Sequence, residues 1–330
     1  MVHFQLKGEA AVKAKETLIV AILYVAVSFL IFSSGFIEIA KVSDLSVLPA
    51  VVSLVLLVPL FFWYKRHKQR RELSSVVEVD GGFVWVEVLG LFLAAMAVRV
   101  PMVLVLGMSY EKTAVVYLVV LTAVLIKKNS LDVYGFRTER FARSLGVGLA
   151  YYLVFAVPLF ATWWGLAYIF TGKTVLTGYN PLPDLFIFPF MTLCVGVSEE
   201  GLFRGLMQTR LARVYSRKKA LWSQASLFGL WHFVWHVSPF KPFQMTIHVF
   251  TTFIFGLVFG YFYQESGNLV PLVLTHGLVD TVGTGAVLNP ELENAETLVQ
   301  SLQAPAFAVA MIILALCTKF LARKARVTSD

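Results

Sequence analysis

Ser198-Glu199-Glu200-Gly201-Leu202-Phe203-Arg204-Gly205 places two adjacent carboxylates and a guanidinium inside an apolar run from about Leu185 to Met207. A run of that length can cross a bilayer, which asks for roughly 20 apolar residues. Each ionisable group at bilayer depth costs about 3 kcal/mol or more on insertion scales. Three of them within six positions call for partners elsewhere in the chain. On an α-helix Glu200 and Arg204 lie about 40° apart and can pair, whereas Glu199 points about 100° away from Glu200. This spacing predicts one structural carboxylate, Glu200, and one available carboxylate, Glu199. Gly201 and Gly205 have the spacing that lets a second helix approach the backbone closely.

The rest of the chain has the same character. It is 58% hydrophobic and 15% charged, with a mean hydropathy of +0.75. A soluble chain of 330 residues would be far more polar, so the composition predicts an all-α polytopic membrane protein. Cys194 and Cys317 both lie in apolar runs and offer neither a disulfide framework nor a Cys-x-x-Cys metal motif. The first apolar run is too long for a cleaved signal peptide, and no small-residue cleavage site follows it.

Hydropathy predicts about ten transmembrane helices, near 18–37, 45–64, 83–106, 110–126, 145–170, 185–207, 221–237, 245–263, 269–288 and 305–321. Ten spans with both termini inside put the basic segments at 65–71, 127–143, 210–219, the N-terminus and the tail from Lys319 on one side. These hold 22 of the 28 lysines and arginines, and the acidic segment 290–296 falls opposite. The net charge of +8 is thereby read as positive-inside topology with attraction to anionic lipid, and nucleic acid is not a partner. The expectation is an integral protein of a prokaryotic plasma membrane with cytoplasmic termini. Three regions follow: N-terminal membrane helices at 1–180 with no assigned role, a core at 181–290, and a final helix with a basic tail at 291–330.

Polar residues gather in the core. Phe228-Gly229-Leu230-Trp231-His232 and Thr275-His276-Gly277-Leu278-Val279-Asp280 follow the Glu-Glu stretch. Counted along continuous helices from the inner ends, Glu199, His232, His276 and Asp280 sit roughly 12, 16, 10 and 16 Å deep. One slab of polar groups from three helices can share an interior cavity. His236 is expected at a helix end and His248 at the interface. Arg99, just before Pro101, is expected in a buried structural pair, and Glu87 near a membrane edge.

A buried carboxylate beside a neutral imidazole can hold a water and take its proton. Polar groups four apart on another helix can donate to a tetrahedral oxyanion. Glu199, His232, His276 and Asp280 supply those parts for amide hydrolysis without an acyl-enzyme. The fold expectation is thus completed by a polar catalytic cavity among the later helices. No Gly-x-Ser-x-Gly elbow is present, Cys194 has no activating base, and residue 233 is Phe where a His-Glu-x-x-His zinc protease needs Glu. A zinc ion held by Glu199, His232 and His276 is a chemical alternative to a cofactor-free site. A non-catalytic immunity, scaffold or carrier protein that keeps the polar cluster is another.

The three motifs, Glu199-Glu200-x-x-x-Arg204, Phe228-x-x-x-His232 and His276-x-x-x-Asp280, resemble the CAAX-protease and bacteriocin-processing family. This group, also called CPBP or ABI, includes the type II CAAX prenyl endopeptidases. The resemblance covers about residues 185–285 and implies an intramembrane glutamate protease open to the cytoplasm. By that resemblance Glu199 activates water, His232 orients it, His276 and Asp280 form the oxyanion site, and Glu200 and Arg204 are supporting. The implied partners are membrane lipids and a peptide or prenylated-protein substrate, with the oligomeric state unspecified. Related enzymes often have Asn at the last position. An ionised aspartate only accepts hydrogen bonds, so a donor role requires a protonated Asp280.

Overall fold

The computed structural model describes residues 16–31, 52, 55–58, 81–107, 111–127, 129–283, 285–292 and 295–326. The expected span at 45–64 and the basic run 65–71 lie largely or wholly outside the described residues. The described helices are α1 (Glu16–Ile31), α2 (Gly81–Leu106), α3 (Glu111–Leu121), α4 (Phe141–Thr171), α5 (Leu182–Ala212), α6 (Arg217–Leu230), α7 (Pro242–Ser266), α8 (Val270–Val279) and α9 (Ala295–Ala325). The chain is an all-α polytopic membrane protein. Five of these helices, α2, α4, α5, α7 and α9, are long and apolar enough to cross a bilayer.

Two expected spans are shorter helices than hydropathy implied. The run 221–237 is α6, which stops at Leu230, followed by a turn and a 3₁₀ turn at Phe233–His236. The run 269–288 is α8, which stops at Val279, followed by turns and a strand, β2 (Ala286–Leu288). Hydropathy records polarity and not backbone pairing, so it runs through both helix ends. Beyond Val279 the chain has Gly283 at φ 113°, a conformation an α-helix excludes.

The chain divides into two compact units. The first comprises 1–136 and 201–256, and the second 137–200 and 257–330.

The first unit has a buried apolar core running through α1, α2, α3, the end of α5 and α6, with Val88, Met102, Leu118, Phe203, Leu206 and Trp231 among its members. Gly201 packs where a Cβ would meet Val119 and Phe136, at 2.8 and 3.0 Å. Gly256 lies against Ala225, and Gln224 Nε2 donates to the Gly256 carbonyl at 2.7 Å. Glu87 pairs with Lys127 at 2.6 Å and Arg210 at 3.0 Å, so it is held by two cations.

In the second unit α4 is the central rod, flanked by α8 and α9. Tyr151 on α4 bonds Thr318 on α9 at 2.9 Å, and Asn268 joins the end of α7 to Ser144 at 2.8 Å. A small antiparallel ribbon pairs β1 (Leu176–Tyr179) with β2, Leu176 opposite Leu288 and Tyr179 opposite Ala286, with an irregularity at Thr177. Asp184 fastens it: Tyr179 donates its hydroxyl to the carboxylate, and Gly283 and Gly285 donate amides at 3.0 and 3.2 Å. The stretch between α4 and α5 is therefore in part a strand.

Candidate active site

The site in the second unit is built on one close helix crossing. Along 191–208, α5 is bonded i→i+5 instead of i→i+4. Such wide turns are rare and often mark functional sites. They also reduce the angular step per residue, so adjacent side chains diverge less than the about 100° of an α-helix. Gly196 and Gly277 let α5 and α8 meet backbone to backbone. A Cβ on Gly277 would lie 2.7 Å from Thr192 Cα, and one on Gly196 would run into the Val273 carbonyl. Gly148 on α4 gives α8 the same access from the other side, 2.7 Å from the Pro271 carbonyl. Thr275 donates its hydroxyl to the carbonyls of Gly148 and Pro271, at 2.9 and 2.8 Å.

That crossing sets both glutamates at one imidazole. His276 Nδ1 lies 2.7 Å from Glu200 Oε1. Its Nε2 lies 3.5 Å from Glu199 Oε2 and 3.8 Å from Asp280 Oδ2. Glu199 and Glu200 are 0% exposed and His276 is 8% exposed. Both glutamates face His276, Glu200 at Nδ1 and Glu199 at Nε2, although α-helical spacing set them about 100° apart. The wider helix is the physical reason, and α-helical spacing could not reveal it. Phe259 closes one side of the imidazole, its ring edge-on at 6.1 Å.

The remaining motif residues group in the first unit. Arg204 stacks 4.1 Å over the ring of Phe228, and Phe228 meets His232 edge-on at 4.9 Å. His232 Nδ1 donates to the Phe228 carbonyl at 2.8 Å. A carbonyl only accepts, so Nδ1 carries the hydrogen and the neutral ring offers its lone pair at Nε2. Phe228, four residues before His232, thus does three things: it takes the guanidinium on its face, the imidazole on its edge and the imidazole proton on its carbonyl.

Sequence reading missed two further features. His236 Nε2 and His248 Nδ1 are 3.0 Å apart, and the His248 ring lies 5.2 Å from that of His232. The i→i+4 spacing of His232 and His236 was visible, but the return of His248 depends on the turn between α6 and α7. Gly196 and Gly277 were also overlooked. Their adjacency to Glu199 and His276 was the available signal. Among the described residues, no group of three or more His, Cys, Asp or Glu side chains has the arrangement of a metal site.

Fold and site together define a polytopic membrane protein with a carboxylate–imidazole centre buried in its helices. Residues 181–282 match the family described as type II CAAX prenyl endopeptidase Rce1-like. All three motifs fall in that stretch, and the resemblance to the CAAX-protease and bacteriocin-processing family holds over it. The uncharacterized protein YpbD of Bacillus subtilis (strain 168) is 31% identical over 93 residues, 28% of this chain. The chain covers 41% of YpbD's length. No solved structure gives a significant match.

Proposed function

We propose that this chain is an intramembrane endopeptidase that hydrolyses a peptide bond with a water activated by Glu199. The observation that carries the reading is His276 flanked by two buried glutamates inside the Rce1-like segment. In the proposed reaction Glu199 takes a proton from water, and the hydroxide adds to the scissile carbonyl carbon. The tetrahedral oxyanion receives hydrogen bonds from His276 Nε2–H and a protonated Asp280. Collapse breaks the C–N bond, and Glu199 returns its proton to the leaving amine. Atoms balance: one water enters, and a carboxylic acid and an amine leave.

The surroundings of Nε2 support a hydrogen on that nitrogen in this reading. Three carboxylates face one imidazole, and an unprotonated Nε2 would set a lone pair against Glu199 and Asp280. Glu200 at Nδ1 orients the ring, as carboxylates do for catalytic and metal-bound histidines. The water-orienting role of His232 and the supporting role of Arg204 are carried by their motifs. In this reading the termini and the open side of the site face the cytoplasm, and the positive-inside distribution of basic residues supports that orientation of the termini. The substrate is then a peptide or prenylated protein reaching the site from the membrane. Glu199 acts without a metal.

The test is cleavage of prenylated and unprenylated fluorogenic peptides by the purified protein in lipid vesicles. Wild type is expected to cleave in the presence of chelator, and Glu199→Ala is expected to fold without cleaving. Full biological function in Glu199→Ala would shift the reading to a non-catalytic membrane protein. Activity lost to chelator and restored by zinc would shift it to a metalloprotease.

A further inference from the structure

Arg99 and Glu111 lie outside the Rce1-like segment, in the N-terminal region that has no assigned role. They belong to the same compact unit as His232. Both are 0% exposed and they form an ion pair between α2 and α3. A guanidinium inside a membrane helix is costly unless paired, and Glu111 meets that need. Arg99 has more than that partner. Its Nε donates to the Trp231 carbonyl at 3.0 Å, and its guanidinium lies 4.2 Å over the Trp231 ring and 5.6 Å from that of Trp235.

Trp231 is where α6 stops. The last carbonyls of a helix lack partners within it, and a cation there is favourable to the helix dipole. Arg99 supplies that cation from a different helix. The next residue is His232, and its imidazole turns back to the Phe228 carbonyl. The backbone carrying His232 therefore leaves the helix at a point gripped from α2.

We propose that the Arg99–Glu111 pair is a positioning device for His232: it fixes the helix end at Trp231 and so the direction in which the His232 imidazole is presented. Arg99 and Glu111 are positioning residues and touch no substrate. The consequence for hydrolysis rests on the protease reading, whereas the effect on His232 does not. The planar guanidinium matters because it reaches Glu111 and the Trp231 carbonyl together while stacking on an indole. A lysine ammonium on a flexible stem does not reproduce this.

The experiment uses the full chain with ¹⁵N-labelled histidine in detergent micelles, as wild type, Arg99→Lys and Glu111→Gln, with His232→Gln assigning the signal. Both variants are expected to move the His232 ring nitrogens away from the Nδ1–H tautomer. In the cleavage assay kcat is expected to fall about 10- to 100-fold with KM nearly unchanged, as for a misplaced catalytic group. His232 signals that stay in place in a folded variant overturn the proposal, even where the melting temperature falls, because the pair then only packs helices. Signals that move, in a protein whose wild type cleaves no peptide, sustain the positioning and remove the protease reading. If one variant fails to fold, the other carries the same readout.

Discussion

Glu200 holds His276 by its Nδ1, Oε1 to nitrogen 2.7 Å, so the imidazole is oriented by the second glutamate of the pair. A carboxylate accepts and does not donate when ionised, which fixes the hydrogen on Nδ1 and aims Nε2 at Glu199 and Asp280. The two adjacent glutamates thus meet different nitrogens of one ring although both are buried. In the proposed reaction Glu200 orients the ring at Nδ1, and Glu199 works on the Nε2 side.

Conservative substitution separates these tasks. Glu199→Gln keeps the size but cannot take a proton, so cleavage is expected to fall by about 10²–10⁴-fold at every pH. Glu200→Gln still offers His276 an oxygen at Nδ1 and loses only the charge. Its loss is expected to be smaller, about 10- to 100-fold, as for partners that orient a histidine. Its pH–rate profile should shift, because the imidazole no longer has an anion at Nδ1. Equal losses with identical profiles would mean that the two glutamates are not divided in this way. Initial rates across pH in vesicles give the answer.

The helix crossing beneath the site makes a second expectation. A methyl on Gly277 meets the Thr192 backbone, which cannot yield as a flexible side chain can. Gly277→Ala is expected to destabilise by about 1–3 kcal/mol through overpacking and to reduce cleavage by displacing His276. Gly146 on α4 is the control, with nothing within 4 Å of an added methyl. Gly146→Ala is expected to stabilise by about 0.4–1 kcal/mol by restricting the unfolded backbone. Denaturation in detergent that ranked the two variants equally would contradict the crossing.

Much of this was legible in the sequence, and the parts that were not have physical reasons. Three charged groups in an apolar run demanded partners, and His276 is one. Arg99 was expected in a buried pair, and Glu111 completes it. The ends of α6 and α8 were not legible. At the first, Arg99 and the His232 ring take carbonyls that a longer helix would have used. The convergence of Glu199 and Glu200 on one ring was hidden too, since it follows from i→i+5 bonding. Pairing of 176–179 with 286–288 depends on Asp184, remote from β2 in sequence, and no local pattern announces it.

That ribbon has a pH signature. The hydrogen bond to Asp184 pushes the Tyr179 hydroxyl up from 10.0 to about 12. A raised folded-state value means the protonated phenol is the form that stabilises. Its contribution is whole below pH 10.0 and is lost as pH rises through about 12. Tyr179→Phe is therefore expected to melt below wild type under neutral conditions, with the gap closing across that alkaline window. Because Tyr179 is half exposed, solvent keeps the effect modest. A gap that stayed constant up to the alkaline limit would show that the bond contributes nothing through its proton.

Asp280 gives the sharpest test of the oxyanion assignment. Its Oδ2 lies 3.8 Å from His276 Nε2, and its side chain is 28% exposed, against 1% for Glu199. A carboxyl that donates at this position must hold a proton, whereas an ionised one only accepts. An asparagine amide donates at any pH. Asp280→Asn is expected to keep cleavage within about tenfold of wild type, since one hydrogen-bond donor replaces another of the same size. Asp280→Ala removes the donor altogether and is expected to cost about 10²–10³-fold in kcat, the usual loss for one oxyanion donor. If Asp280→Asn abolishes cleavage at every pH, the carboxyl is needed as an acceptor or a base, and the oxyanion role passes to other groups.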